Sequence, residues 1–276
     1  MSSLSQHTNL HTIALGVSYS GESFHGWQFQ GDSIATVQAC LETALSKVAD
    51  KPVRVACAGR TDSGVHATKQ VVHFQSDVDR PLKAWVMGTN AHLPDSVSVT
   101  WSREVPSEFN ARHSARARRY VYLIYDQRIR SALFPNLYTR EHRTLDPKRM
   151  HEAAQYLLGE NDFSSFRAAN CQSRSPMRNI HHLSVVRGGD LVVIDVQANA
   201  FLHHMVRNIA GVLMDIGASE QPVSWTRELI KICDRRQASV TAAPNGLYLV
   251  DVLYPDYPEI PEGPDLPHLL SMIDLT

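Results

Sequence analysis

A ten-residue segment with a glycine near each end interrupts two apolar runs in the first third of the chain. It reads Ala58-Gly59-Arg60-Thr61-Asp62-Ser63-Gly64-Val65-His66-Ala67. The flanking runs, Val53 to Cys57 and Lys69 to Gln75, alternate apolar and polar residues as β-strands do. The segment is therefore predicted to connect two strands, and its glycines permit backbone shapes that other residues resist.

Predicted strands and helices alternate through the rest of the chain. In the first half they are the strand Leu10–Ser20, an irregular segment from Gly21 to Gly31, the helix Ile34–Ala49 capped by Asp32 or Ser33, the helix Leu82–Ala91 and the strand Val97–Val105. In the second half they are the strand Arg116–Tyr125, the helix Asp146–Leu158, a hairpin from Ile180 to Gln197, the helices His203–Ile216 and Val223–Asp234, and the strand Tyr248–Val252.

This order predicts an α+β fold. Two similar α/β lobes, residues 1–110 and 111–254, would carry mixed, mainly antiparallel sheets that meet at a central cleft. An acidic, proline-rich tail, residues 255–276, is expected to be extended or loosely attached.

The composition is that of an ordinary globular protein. Of the 276 residues, 43% are hydrophobic and 20% are charged. Residues 1–9 are polar, and no stretch approaches the length that crosses a bilayer, so a cytoplasmic protein without a membrane association is predicted. The four cysteines lie far apart without a C-x-x-C pair, which argues against a disulfide scaffold and a structural zinc site.

The net charge of −1 hides an asymmetry along the chain. Residues 103–149 contain eleven Lys or Arg against five Asp or Glu, whereas the residues after Val250 contain six acidic residues and no Lys or Arg. A basic face on a near-neutral protein favours a polyanionic partner. A solvated charged surface with an acidic tail explains the pattern equally well.

Common catalytic signatures are missing from the glycine-bounded segment. Gly59 and Gly64 have P-loop spacing, but Val65 and His66 stand where Lys and then Ser or Thr are needed. The chain has no dinucleotide-binding fingerprint, no serine-hydrolase elbow and no P-C-x-x-C of a zinc deaminase. Asp62 remains as a candidate catalytic residue. In a cleft it acts as a base, a nucleophile or a charge stabiliser. The alternative is that it only caps its own turn.

Arg207 lies in the middle of a predicted helix whose surface is mostly apolar. A guanidinium on such a helix needs an anion nearby, and Asp62 is a candidate partner that would stay ionised in the pair. The alternatives are that Arg207 faces solvent or binds a backbone phosphate.

Two further groups of residues suit contacts with nucleic acid. Arg118, Arg119, Tyr120 and Tyr122 place arginines beside alternating aromatic rings on one predicted strand. A second group in irregular chain offers phosphate or base contacts: Arg167, Asn170, Gln172, Arg174 and Arg178. Ordinary strand tyrosines and a solvated loop are the alternative interpretations.

The chain has 14 histidines, which raises the possibility of a metal-dependent hydrolase. They include two adjacent pairs, His181-His182 and His203-His204. Adjacent histidines on a helix or strand diverge and make poor co-ligands, so no metal site is predicted.

The glycine-bounded segment resembles the catalytic motif of the tRNA pseudouridine(38-40) synthases, which isomerise uridines in the anticodon arm of tRNA. Further blocks resemble that family in the same order, from about Leu10 to Tyr254: Asn90–Asp95, Phe109–Arg112, Ala117–Tyr122, Gly159–Phe163, Phe201–Asn208 and Gly246–Leu249. Ser63 departs from the alanine that is usual in the family, and its hydroxyl is expected to add at most a hydrogen bond to the loop.

The resemblance implies roles for individual residues. Asp62 would be the essential aspartate, Arg207 its ion-pair partner, Tyr120 the aromatic residue at the sugar and base, and Arg60 the residue that enters the RNA helix as the base is extruded. The other predicted substrate-binding residues are Thr61, His66, Arg118, Arg119, Tyr122, Arg174, His203 and Leu247. It also implies a homodimer that acts on tRNA with no cofactor and no metal.

Overall fold

In the computed structural model, which describes residues 10–271, ten strands form a single continuous sheet. The strands are β1 (His11–Tyr19), β2 (Ala56–Cys57), β3 (His66–Ser76), β4 (Val97–Val105), β5 (Ala117–Tyr125), β6 (Thr139–Arg140), β7 (Gly159–Asp162), β8 (Met177–Gly188), β9 (Leu191–Ala198) and β10 (Leu247–Leu253). Their order is β4-β1-β3-β10-β5-β9-β8-β7, with β2 paired to β3 and β6 paired to β5. Only the β10–β3 and β5–β6 pairings of the described chain are parallel, which confirms the predicted mainly antiparallel α+β fold.

Five helices follow the predicted order and are shorter than predicted, and a sixth, the short last helix, is not predicted. They are α1 (Val37–Ala49), α2 (Leu82–Asn90), α3 (Pro147–Gln155), α4 (Met205–Gly217), α5 (Trp225–Ile232) and α6 (His268–Ser271). The cap of α1 is Thr36, whose side chain accepts the amide hydrogen of Ala39 at 3.3 Å. The predicted caps Asp32 and Ser33 lie upstream of this position, in irregular chain. They are wrong because the chain enters the helix only after a longer loop.

Strand β10 joins the two halves of the sheet. It comes from the C-terminal half of the chain yet lies between β3 and β5, pairing Tyr248 with His66 and Leu249 with Tyr120. The two predicted lobes therefore share one sheet, because the last strand inserts between them. The boundary at residue 110 stays a prediction.

The two faces of the sheet bury different cores. Tyr120, Tyr122 and Ile124 of β5 belong to a large cluster that includes the apolar faces of α1, α3 and α4. The intervening residues Val121 and Leu123 belong to a smaller cluster on the opposite face. This division follows from the two-residue side-chain period of a strand.

The C-terminal segment packs against that smaller cluster. Leu270 is 2% exposed within it. Lys69 on β3 is also buried, where its Nζ lies 2.9 Å from Asp251 Oδ1 and donates to the Gly263 carbonyl. Residues 255–271 are therefore more firmly attached than the predicted loose tail. The buried side chain of Leu270 and the hydrogen bond from Lys69 hold this segment against the sheet.

The predictions for residues 1–9 and the end of the tail lie outside the described residues. Within residues 10–271, no helix has the length and apolar character needed to cross a membrane.

Candidate active site

The glycine-bounded loop runs from the end of β2 to the start of β3, so its last two residues, His66 and Ala67, already belong to the sheet. Inside the loop the Val65 N–H donates to the Asp62 carbonyl at 3.2 Å, which closes a turn. Gly64, within this turn, has φ +78°, in the left-handed region that favours glycine. Asp62 is the first residue of the turn.

The irregular segment between β1 and α1 holds the loop in place through hydrogen bonds. The Trp27 N–H donates to the Thr61 carbonyl at 3.0 Å, and the Ser63 hydroxyl donates to the Phe24 carbonyl at 3.1 Å. Gly26 has φ +91°, and a Cβ on it would lie 2.8 Å from the Thr61 carbonyl oxygen. Ser63 thus supplies the hydrogen bond expected of a hydroxyl at that position.

Buried polar groups hold the loop from the sheet side. The Thr61 hydroxyl lies 2.8 Å from the Tyr19 hydroxyl, and the Gln70 side-chain amide donates to the Gly59 carbonyl at 2.6 Å. Thr61 is 8% exposed. Its position favours a role in holding the loop, and a contact between Thr61 and substrate stays a prediction.

The Asp62 carboxylate faces three nitrogen-bearing side chains. Oδ2 lies 3.2 Å from Arg207 Nη1 and 3.3 Å from His204 Nε2, and Oδ1 lies 3.4 Å from His203 Nε2. The carboxylate is half-buried, with 27% of its side chain exposed. Asp62 is therefore surrounded by nitrogen groups yet open to solvent on one side.

Arg207 faces the loop, so the predicted ion pair is present. Its Nε donates to the Ala242 carbonyl at 2.8 Å, which directs Nη1 toward Asp62. Only 13% of the Arg207 side chain is exposed. The carboxylate is therefore the anion that this largely buried guanidinium requires.

The two histidines converge, contrary to the prediction that they diverge. Their ring centroids lie 3.9 Å apart. The prediction is wrong because α4 begins at Met205 rather than His203, and His204 adopts a left-handed backbone with φ +61°. That conformation turns the His204 ring to the same side as the His203 ring, whereas a helix or strand would separate them.

Tyr120 lies beside the loop on β5. Its ring packs edge-on against Phe201 at a centroid distance of 5.1 Å, and a Cβ on Gly59 would lie 3.7 Å from its hydroxyl oxygen. The hydroxyl has no hydrogen-bond partner among residues 10–271. Burial raises the pKa of Tyr120, with Arg118 opposing and Asp62 adding to the rise. The phenol therefore keeps its proton near neutral pH.

Arg60 and Arg174 are exposed. Neither side chain has an ion-pair partner in the described part of the chain. Both are thus free to meet an anionic ligand.

The arginines of β5 are tied to the protein itself. Arg118 donates from Nη2 to the carbonyls of Ala58, at 3.0 Å, and Arg112, at 2.6 Å. Arg119 pairs with both oxygens of Asp195 at 2.8 and 2.5 Å. These contacts favour a scaffold role, and RNA binding by Arg118 and Arg119 stays a prediction.

The remaining predicted site residues are buried. Tyr122 is fully buried, and its hydroxyl donates to the Ala243 carbonyl at 2.8 Å. His66 accepts the Gly21 N–H at Nδ1, so its Nε2–H donates to the Asn136 carbonyl at 3.0 Å and the ring is neutral. Burial lowers the pKa of His66, and Leu247 is 6% exposed in β10. Substrate contacts by these residues stay predictions.

Three of the ten arginines of the basic stretch 103–149 pair with carboxylates, namely Arg116, Arg119 and Arg143. Arg143 contacts Glu141, Asp215 and Glu220 at 2.5 to 3.0 Å, and Arg116 pairs with Asp256 of the acidic segment at 3.0 Å. The charge asymmetry along the chain therefore overstates the positive charge that this stretch leaves on the surface.

A cavity of about 640 Å³ lies elsewhere, beyond the end of β5. Its lining includes Tyr125, Asp126 and Arg187. It includes none of the residues of the Asp62 cluster, which are Asp62, His203, His204 and Arg207.

The family model described as tRNA pseudouridine synthase matches residues 16–114 and 153–255 of the chain. The two matched ranges contain Asp62, Arg207 and both histidines. Strand β5, with Tyr120, falls between them.

Several curated proteins named tRNA pseudouridine synthase A are similar over nearly the whole chain. The protein from Pseudomonas aeruginosa is 57% identical over 259 residues, which cover 94% of this chain and 91% of the relative. The protein from Pseudoalteromonas atlantica is 57% identical, covering 88% and 92%, and that from Haemophilus influenzae is 54% identical, covering 88% and 90%. Among solved structures, a Cbf5–Nop10–Gar1 complex matches with 10% identity and a TM-score of 0.35, covering 86% of this chain and 48% of the other, and this match is too weak to compare the folds.

Proposed function

The chain belongs to the tRNA pseudouridine synthase family, and on that premise we propose that it isomerises uridine at position 38, 39 or 40 of the tRNA anticodon arm, with Asp62 as the essential carboxylate. Isomerisation of uridine in tRNA follows from membership of the family. The positions and the aspartate follow from the resemblance of the ordered sequence blocks.

The observation that carries this proposal is the contact between Asp62 and Arg207. At 3.2 Å the guanidinium orients the carboxylate, and 27% of the Asp62 side chain stays exposed to a substrate. The reaction breaks the bond between N1 of uracil and C1′, turns the base, and forms a bond between C5 and C1′, while C5 loses its proton to solvent and N1 gains one. It therefore needs a charged group at the sugar rather than an oxidant or reductant.

Arg60 has a role in the extrusion of the target base. A uridine within a stem must leave the stack before its glycosidic bond is accessible, and this costs a few kcal/mol. Arg60 is exposed and lies two residues before Asp62. These two features support a role in which its guanidinium occupies the vacated space while Asp62 meets the extruded nucleotide.

Tyr120 serves as a positioning group in this scheme. Its pKa is raised by burial, so the phenolate that proton abstraction requires is scarce near neutral pH. The ring, braced by Phe201, instead offers a surface against which sugar or base packs.

The resemblance also supports a homodimer that acts in the cytoplasm. Static light scattering tests the dimer, which should have twice the 30.9 kDa mass of the chain. A mass of one chain at micromolar concentration contradicts this part of the proposal and leaves the chemistry untouched.

The central experiment removes one charge. Asp62→Asn should abolish tritium release from tRNA containing 5-labelled uridine, while tRNA affinity in a filter-binding assay is retained. The matched control is Asp79→Asn, which changes an exposed aspartate with no polar partner in residues 10–271. Activity in Asp62→Asn contradicts the assignment. Binding without tritium release by the wild-type protein points to a non-catalytic tRNA-binding protein.

The target positions need their own substrates. Anticodon stem-loops with a single uridine at 38, 39 or 40 should each be tested, with the product located by chemical labelling of pseudouridine. Modification only at uridines outside this arm contradicts the proposed specificity.

A further inference from the structure

The imidazole of His203 directs Nε2 toward Asp62. Its Nδ1 lies 3.0 Å from the side-chain oxygen of Asn170, an acceptor, so Nδ1 donates a proton to Asn170. Nε2 is the ring nitrogen that faces Asp62, at 3.4 Å from Oδ1.

His204 approaches the other carboxylate oxygen. Its Nε2 lies 3.3 Å from Asp62 Oδ2. The two imidazole nitrogens and a carboxylate oxygen all lie within 4.8 Å of one another. Three donor atoms from two sequence-distant segments therefore point into one small volume.

One nitrogen-to-oxygen distance matches that of a tetrahedral metal site. Zn²⁺ binds imidazole nitrogen and carboxylate oxygen at about 2.0–2.1 Å, so two such ligands of a tetrahedral ion lie about 3.3 Å apart. His203 Nε2 lies 3.4 Å from Oδ1, whereas His204 Nε2 lies 3.3 Å from the other carboxylate oxygen, Oδ2, and reaches the same ion after a small rotation of its ring. Two imidazoles with one carboxylate suit zinc, nickel or copper, whereas magnesium and calcium prefer oxygen ligands.

The surroundings of the three donors are those of an accessible site. His203, His204 and Asp62 have 35, 28 and 27% of their side chains exposed, which leaves a fourth position for water. Asn170 fixes the His203 tautomer that leaves Nε2 free to bind a metal. Arg207 contacts Oδ2 and repels a cation, so Oδ1 is the favoured carboxylate ligand and affinity falls below that of a structural zinc site.

We propose that Asp62, His203 and His204 bind a divalent transition-metal cation, with Zn²⁺ as the best fit, and that the bound ion inhibits the enzyme. Metal binding stands on the geometry alone. Inhibition rests on the proposed function, because it requires that the occupied carboxylate is the one that acts on the nucleotide.

Binding is tested on the full chain with Co²⁺ as a spectroscopic probe and Zn²⁺ as its competitor. The wild-type protein should show the intense visible absorption of tetrahedral Co²⁺, lost on addition of one equivalent of Zn²⁺. His203→Gln and His204→Gln should each weaken binding at least about tenfold, and Asn170→Ala should weaken it less. The matched control is the double variant H181Q/H182Q, which removes the exposed adjacent pair on β8 and should bind as the wild type does.

Inhibition is then measured by tritium release in the presence of Zn²⁺. Activity should fall with Zn²⁺ and return with EDTA, and the concentration for half inhibition should match the dissociation constant. Equal metal affinity in the wild type, His203→Gln and His204→Gln overturns the site. Binding at the site without inhibition overturns only the inhibitory role. An active Asp62→Asn variant contradicts the proposed function, whereas the loss of metal affinity in the histidine variants still supports the site.

Discussion

Gly26 and Thr61 lie in such close contact that a single methyl group would not fit between them. A Cβ on Gly26 would lie 2.8 Å from the Thr61 carbonyl oxygen, in a backbone with φ +91°. The segment around Gly26 thus sets the position of the loop that carries Asp62, although it contributes no side chain to the cluster.

Gly26→Ala should displace the Asp62 loop and lower kcat. A left-handed alanine costs roughly 1–2 kcal/mol by itself, and the clash with a backbone oxygen adds to this. Gly31→Ala is the matched control, because Gly31 has φ +114° but nothing within 4 Å of the added Cβ. Urea unfolding and kcat are measured on both variants. Equal losses in the two variants would show that the contact with Thr61 has no separate effect.

Arg207→Lys should keep a positive charge but lose activity. A lysine cannot donate to the Ala242 carbonyl and to Asp62 with the fixed geometry of a guanidinium. We expect kcat to fall roughly 10²-fold, the size of effect seen when one charge-stabilising donor is removed from an active site. The control is Arg227→Lys on α5, where the arginine is exposed and lies over the Tyr156 ring. Wild-type kcat in Arg207→Lys would mean that charge alone is sufficient.

Tyr120→Phe separates the ring from the hydroxyl. If the ring positions the nucleotide, kcat should stay within about tenfold of the wild type, because the Tyr120 hydroxyl has no partner among the described residues. Tyr120→Leu should lose far more activity, since it removes the aromatic surface. Complete loss of activity in a folded Tyr120→Phe protein would assign proton transfer to the hydroxyl.

The Asp126–Arg187 pair predicts how stability depends on pH. Burial opposes ionisation of Asp126, but hydrogen bonds from Arg187 at 2.6 and 2.8 Å and from the Leu145 N–H outweigh it and hold the pKa of Asp126 below its ordinary value. The stabilisation is therefore complete above about pH 4, the ordinary pKa of aspartate, and is lost as pH falls through the lower folded-state pKa.

Urea unfolding between pH 6 and pH 3 measures this dependence. Asp126→Asn should reduce stability at pH 6 and flatten the decline with acidification, because one linked carboxylate is gone. Asp79→Asn should keep the wild-type slope. An unchanged slope in Asp126→Asn would show that other carboxylates govern acid unfolding.

The positions of strands and helices could be predicted because they depend on periodicity within a single segment. β4 has its predicted bounds, and most other predicted elements agree within a few residues, whereas the short elements β6, β7 and α6 are not predicted. The Asp62–Arg207 pair could also be anticipated, since a guanidinium on an apolar helix face requires a nearby anion. In contrast, the hydrogen-bond partners of Arg118 and Arg119 could not be predicted. They include the Ala58 carbonyl and Asp195, which lie in other segments of the chain and which periodicity does not reveal.

The sequence by itself determined the order of elements, the alternation that divides β5 between two cores, and the loop that presents Asp62. Only the tertiary structure decided that β10 joins both halves into one sheet and that His203 and His204 converge on the carboxylate. The reason is physical: local patterns report which face of an element is buried. The partner of a buried or charged group depends on how segments far apart in sequence approach each other, and on single backbone angles such as the left-handed φ of His204.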